Sequence, residues 1–250
     1  MHYGRGARAV QAVDRVDLSI DRGEVVAVVG PSGCGKSSLM RLVSGLAPVS
    51  SGRLTVEGRE VRGPVKSVGM AFQNSNLLPW RSALDNVLLP LEIVEPYRSS
   101  MRKERGAYRD KALRLLESVG LAGFTGKHPW ELSGGMQQRT SICRALIHEP
   151  EILLLDEPFG ALDAFTREEL WCALRDLQAE RGVTVMLVTH DLREAVFLSD
   201  TVYVMSNRPG RIVLRREVDL PRPRDLEITY TPEFSAIVHE LRVRIGGVRH

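Results

Sequence analysis

The sequence predicts an α/β domain on a mainly parallel sheet, with an antiparallel β side sheet and an inserted helical subdomain. Short apolar runs rich in Val, Ile and Leu occupy residues 25–29, 152–155 and 183–188, and each ends in a loop. Such runs, without alternation, are the pattern of strands buried on both faces, the state of a parallel sheet covered by helices. Helical patterns at residues 37–46 and 166–180 separate them, as right-handed crossovers require. Residues 9–20 and 52–62 alternate apolar with polar positions instead, which predicts the antiparallel side sheet.

Residues 76–149 contain no buried-strand run and read as a helical lobe. Within it, residues 97–111 carry six basic and two acidic side chains, which reads as a solvated helix face. Toward the end of the chain, a turn at Pro209-Gly210 joins two strand-like runs and a Pro221/Pro223 stretch follows. Thr231-Pro232-Glu233 then supplies a capping hydroxyl, a proline at the first helical position and an acid in the first turn. The expected organisation is a catalytic core with the β side sheet (1–75 and 150–215), a helical subdomain (76–149) and a short tail with a helix (216–250).

At 250 residues, 43% hydrophobic and 26% charged, the composition excludes a wholly disordered or collagen-like chain. The net charge of +3 gives no reason to expect a nucleic-acid partner. Cys34, Cys143 and Cys172 are too scattered for a CxxC site or a disulfide framework, which suits a reducing cytosol. The first 21 residues lack the apolar core of a signal peptide, and no run approaches the roughly 20 apolar residues that cross a bilayer. A soluble chain is expected.

The chemistry collects where the apolar runs end. Gly30-Pro31-Ser32-Gly33-Cys34-Gly35-Lys36-Ser37 matches GxxxxGK[ST] between a buried strand and a helix, and Ser38 continues it. Glycines let backbone N–H groups close around phosphate oxygens, and the following helix adds its positive N-terminal end. Lys36 would serve the β- and γ-phosphates of a nucleotide, and the Ser37 hydroxyl would ligate Mg²⁺. A catalytic thiol at Cys34 is not expected, because its place in the loop calls on its N–H.

The run 152–155 ends in Asp156-Glu157-Pro158. Adjacent carboxylates at a strand end want a positive partner, and a Mg²⁺–nucleotide complex supplies one. Asp156 would hold the Mg²⁺ shell, leaving Glu157 to take a proton from attacking water; helix capping by Glu157 is the alternative. His190 follows the run 183–188 at the same sheet edge and would contact a γ-phosphate. Gln73, after the apolar stretch 68–72, could complete the Mg²⁺ shell with its amide oxygen. Leu132-Ser133-Gly134-Gly135-Met136-Gln137-Gln138-Arg139 opens a second helix with a capping serine and two glycines. It is a second anion site by the same logic, or simply a capped helix.

Taken together, GPSGCGKSS, Gln73, LSGGMQQR, ILLLDEP, the Ala-Leu-Asp ending at Asp163, and His190 resemble the ATP-binding-cassette (ABC) ATPases over essentially the whole chain. The resemblance implies a P-loop NTPase (RecA-like) core, ATP and Mg²⁺ as ligands, and a head-to-tail homodimer. Each ATP would lie between the phosphate loop of one subunit and Ser133, Gly134, Gly135 and Gln137 of the other, with Asp163 at the seam. Tyr3 resembles the aromatic that stacks on adenine. The segment 76–92, with Trp80, Asp85 and Asn86, and the tail segments Arg208-Pro-Gly-Arg-Ile and Val218-Asp-Leu-Pro-Arg-Pro-Arg224 look like the nitrate, sulfonate and taurine importer group. Met136 stands where that family's signature usually has Gln. A long C-terminal regulatory domain, as in sugar-importer ATPases, is not expected.

The implied role is the energy-coupling ATPase of an importer. It would sit peripherally at the cytoplasmic face of the inner membrane, partnered by transmembrane permease subunits and an extracytoplasmic solute-binding protein. Residues 74–92 would dock the permease; Leu78 and Trp80 are either contacts there or core. Rival readings are a soluble ABC ATPase acting on nucleic acid or ribosomes, an exporter ATPase, and a nucleotide kinase. The kinase reading leaves Ser133 and His190 without a role.

Overall fold

The computed structural model describes residues 2–3, 10–160 and 162–247, with the side chains of residues 2, 3 and 10 outside that description. In chain order the first elements are β1 (His2–Tyr3), β2 (Val10–Gln11), β3 (Val25–Val29), α1 (Lys36–Val43), β4 (Thr55–Val56), β5 (Arg59–Glu60) and β6 (Val68–Ala71). Next come α2 (Ala83–Leu88), α3 (Tyr97–Ser100), α4 (Arg105–Ser118), α5 (Gly134–Leu146), β7 (Ile152–Asp156) and α6 (Ala164–Arg181). The chain ends with β8 (Thr184–Thr189), α7 (Leu192–Leu198), β9 (Thr201–Met205), β10 (Ile212–Glu217) and α8 (Pro232–Gly247). These elements form two compact units, Met1–Val65 with Thr184–His250, and Lys66–Val183.

In the first unit β3 is the central strand. It pairs in parallel with β8 from Val25↔Val185 to Val29↔Thr189, and with β9 from Val26↔Thr201 to Val29↔Val204. Every residue of these three strands is buried, as their unbroken apolar runs require. At the edge, β10 pairs antiparallel with β9 and alternates half-buried with exposed positions. Thr231 Oγ1 accepts from Phe234 N at 3.3 Å, so α8 starts at the threonine-proline signal.

The antiparallel side elements are smaller than the alternation suggests. Among the described residues of 9–20 only β2 is a strand, paired with β1, and beyond it Arg15 takes φ 49°. From residues 52–62 only β4 and β5 pair, across a tight turn in which Glu57 and Gly58 both have positive φ.

Arg224, in the proline-containing stretch, is 2% exposed. Its guanidinium donates to the carbonyls of Val196 (2.8 Å), Phe197 (3.1 Å) and Ser199 (2.6 Å) at the end of α7, and to Val218 (3.0 Å). The last carbonyls of a helix have no partner within it, and this side chain supplies one. Burial pushes the group's pKa down to about 10, so it stays charged at neutral pH. Arg224→Ala is expected to destabilise the fold by about 3 kcal/mol, since several buried acceptors lose a charged donor. That lowers Tm by roughly 10 °C in a chain of this size, readable by calorimetry; an unchanged Tm would show that water replaces the side chain.

In the second unit β6 and β7 pair in parallel from Val68↔Ile152 to Ala71↔Leu155, and α5 packs on β6, α2 and α4. The α6 helix buries Leu170, Trp171, Leu174 and Leu177, a stripe at helical spacing. Asn86 is fully buried on α2. Its amide donates to the carbonyls of Leu78, Arg81 and Ser82 and accepts from Leu78 N, which shapes the loop ahead of the helix. Among the described residues no helix is long and apolar enough to cross a membrane. None of the three cysteines is in a disulfide.

Candidate functional site

In the first unit the chain leaves β3 at Val29, turns through Gly30–Gly35 and enters α1 at Lys36. Gly35, at φ 113°, is the cap residue of α1, and no side chain caps that helix start. A Cβ at Gly35 would stand 2.6 Å from the Ala12 carbonyl, so only glycine fits there. Lys36 is 5% exposed; its Nζ donates to the carbonyls of Gly30 (2.9 Å) and Pro31 (3.1 Å) and so lies across the loop. Ser32, Gly33 and Ser37 are exposed, whereas Cys34 is buried and its thiol pKa is raised by that burial. Burial of this kind disfavours the reactive thiolate.

Val29 and Thr189 are register partners, so Gly30 and His190 leave neighbouring strand ends. Carboxyl ends of parallel strands are where such folds bind ligands. His190 is exposed, and its backbone is held on both sides. Thr189 Oγ1 accepts from Asp191 N (3.0 Å) and donates to Glu194 (3.1 Å), while Asp191 caps α7 through Arg193 N and Glu194 N.

The second unit gathers its own set. The Ala71↔Leu155 pair puts Gln73 just beyond the end of β6 and Asp156-Glu157 at the end of neighbouring β7. Gln73 is exposed and Asp156 and Glu157 are half-buried, so the two acids are less enclosed than burial at a strand end implies. Glu157 adopts φ 47°, a left-handed conformation that a long side chain rarely takes. Its carbonyl accepts from Gly160 N at 3.3 Å, closing a tight turn. Strain of this kind, of order 1–3 kcal/mol, persists where a side chain must be aimed.

Ser133 caps α5 by accepting from Met136 N at 3.3 Å, and Ser133 and Gly134 are exposed at the helix start. Gly135 is buried, with Thr166 against it. Gln137 departs from expectation. Its Nε2 donates to the carbonyls of Pro129 (2.8 Å) and Leu132 (3.2 Å), and its Oε1 accepts from the Ser75 hydroxyl (3.1 Å). Those bonds direct the amide into its own subunit rather than outward. Two neighbours on α5 grip the same segment. Gln138 donates to the Phe72 carbonyl (3.1 Å), and Arg144 to those of Ser75 (2.6 Å) and Asn76 (2.9 Å). The stretch around Gln73 is thus fastened to the helix that Ser133 opens.

Asp163 caps α6 through Thr166 N at 3.0 Å, and that bond holds its carboxyl below the ordinary range. Trp80 is 70% exposed, which removes its core alternative. Tyr3 lies on β1, but its side chain is outside the described residues, as is Ala161. Sequence reasoning missed Ser75, Arg144 and Arg208. The last of these donates through Nε and Nη2 to the Gly33 carbonyl at 3.1 and 2.9 Å.

A serine hydroxyl, an amide oxygen and one carboxylate form a hard, all-oxygen donor set. Ser37 offers such a donor in the first unit, and Gln73 and Asp156 offer two in the second.

The family model described as "ABC transporter" matches residues 13–160. An aliphatic sulfonates import ATP-binding protein of Bacillus licheniformis is 44% identical over 89% of this chain and 83% of its own length. A taurine import ATP-binding protein of Rhizobium johnstonii is 46% identical over 95% of this chain and 90% of its own. Among solved structures, a dimeric ATP-binding cassette in a post-hydrolysis state, bound to ADP and Pi, superposes with a TM-score of 0.74 at 31% identity. That likeness covers 88% of this chain and 96% of the other.

Proposed function

The chain belongs to the ABC transporter family, and from that premise we propose that it is the ATP-hydrolysing subunit of an importer for a small organic anion of the sulfonate or taurine type. The observation that carries this reading is the presence in one chain of two glycine-opened helix starts, Gly35 on α1 and Ser133-Gly134-Gly135 on α5. One such start suffices for a simple phosphate-binding enzyme. Two are needed when each nucleotide is shared between two copies of the chain.

In this reading the loop from Gly30 to Ser38 cradles the ATP phosphates, with Pro31, Ser32 and Cys34 offering backbone and Lys36 moving from its carbonyl partners to the β- and γ-phosphates. Tyr3 stacks on the adenine. Ser37, Gln73 and Asp156 hold Mg²⁺, which when bound neutralises phosphate charge. Glu157 accepts a proton from the attacking water and His190 donates a hydrogen bond to the γ-phosphate. Ser133 and Gly134 face the nucleotide of the second copy, Gly135 allows Thr166 to pack against the helix start, Gln137 positions rather than binds, and Asp163 lies at the dimer seam.

The permease docks on residues 74–92, where exposed Trp80 stands on a loop shaped by Asn86. That places the subunit at the cytoplasmic face of the membrane, working with permease chains and a solute-binding protein outside. Affinity purification of the chain from gently solubilised membranes of its own cell tests the transport reading. A co-purifying polytopic permease is expected. Recovery only in the soluble fraction, bound to ribosomes or nucleic acid, would overturn it.

A further inference from the structure

The turn between β9 and β10, residues 206–211, leans on the phosphate loop. Gly210 donates its N–H to the Ala12 carbonyl and its own carbonyl accepts from Asp14 N, both at 3.0 Å. A Cβ at Gly210 would run into the Cys34 carbonyl, so the turn touches the loop backbone directly. Arg211 forms a two-pronged ion pair with Asp14, at 3.0 and 2.6 Å, which fixes the far end of the turn. From this abutment Arg208 reaches Gly33, the middle of the loop.

We propose that Arg208 is a positioning residue for nucleotide phosphates, holding the peptide between Gly33 and Cys34 in the orientation that turns the Cys34 N–H into the loop. A trans peptide is planar, and its C=O and N–H point in opposite directions. Arg208 grips that carbonyl with two donors, at 3.1 and 2.9 Å. The N–H on the other side is left with a long 3.3 Å bond to the Pro31 carbonyl, a bond that an incoming phosphate oxygen outcompetes. Arg208 pairs with no carboxylate among the described residues, and Arg211 takes the nearby acid, so the Arg208 charge stays uncancelled at the loop's rim. Both effects favour an anion in the loop, one by geometry and one by field.

The inference rests on the phosphate loop being the ATP site, and the test separates the two. Nucleotide titrations and steady-state hydrolysis on the full chain compare wild type, Arg208→Ala, Arg208→Lys and Lys36→Ala. Arg208→Ala is expected to weaken ATP and ADP binding about tenfold, equivalent to about 1.4 kcal/mol, with KM rising in step and kcat falling far less. Arg208→Lys should recover only part of the loss, because an ammonium cannot make the two-pronged grip. The nucleotide-free Tm should not move, since Arg208 is exposed. Wild-type affinity in Arg208→Ala, or a lowered nucleotide-free Tm that accounts for the loss, would overturn the proposal. ATP binding that survives Lys36→Ala undiminished would instead remove the ATP site from this loop.

Discussion

Glu157→Gln is expected to bind ATP with near-normal affinity, to lose hydrolysis by about 10²–10⁴-fold, and to accumulate as an ATP-bound dimer. The substitution keeps the shape of the side chain and its hydrogen-bonding reach. The amide cannot take a proton at neutral pH, so the step removed is activation of water rather than binding. The backbone strengthens the choice of this residue over Asp156. Glu157 is held at φ 47° by the turn that closes on Gly160, and a conformation of that kind works against a long side chain. Gln inherits the same strain, so Glu157→Gln should melt where the wild type melts. Glu157→Gly should be equally inactive yet more stable by about 1 kcal/mol, since glycine takes positive φ without the Cβ clash. ATP titration, phosphate release, size-exclusion chromatography with ATP and thermal melts read affinity, turnover, dimer and stability in turn. Normal turnover in Glu157→Gln would end its assignment as the base.

Much of this was legible in the sequence because the chemistry sits at the ends of buried strands. The runs that became β3, β7 and β8 are apolar without interruption, and the change to Gly30, Asp156 and His190 marks where each strand leaves the sheet. Helix starts were equally plain where a capping residue opened them, as at Ser133 and Thr231. Arg208 was not legible, since its partner Gly33 lies 175 residues away and only tertiary structure pairs them. Gln137 is a ligand by resemblance to the family signature, but three bonds within its own unit claim its amide. In the sequence Arg224 stands out only as the end of the importer-like tail segment. What buries it is the demand of the carbonyls closing α7, which local sequence does not express. Residues 9–20 misled for the converse reason: alternation predicts a face, but β2 stops at Gln11 and Arg15 beyond it takes positive φ.

Ser133→Arg is expected to leave ATP binding by the isolated chain within about threefold of wild type while abolishing the dimer that Glu157→Gln accumulates, an effect beyond about 100-fold on hydrolysis. Ser133 belongs to the second compact unit and the phosphate loop to the first, so the substitution leaves the loop's own residues unchanged. Ser133 is exposed at the start of α5, and a long side chain there needs no repacking. Its own loss is modest: the 3.3 Å cap to Met136 N disappears, at about 1 kcal/mol, and a cation is placed at the positive end of a helix dipole. Ser133→Ala provides the control, because it removes the cap and hydroxyl without adding bulk or charge. If the helix start binds the second copy's γ-phosphate, alanine should slow hydrolysis modestly and arginine should block closure through its bulk. Multi-angle light scattering on Glu157→Gln with and without Ser133→Arg, in the presence of ATP, gives the answer directly. A dimer that persists in the double variant would mean that α5 does not face the nucleotide of a second copy. Collapse of ATP binding in the single variant would mean that the two glycine-opened helix starts serve one nucleotide within one chain, and the shared site would have to be abandoned.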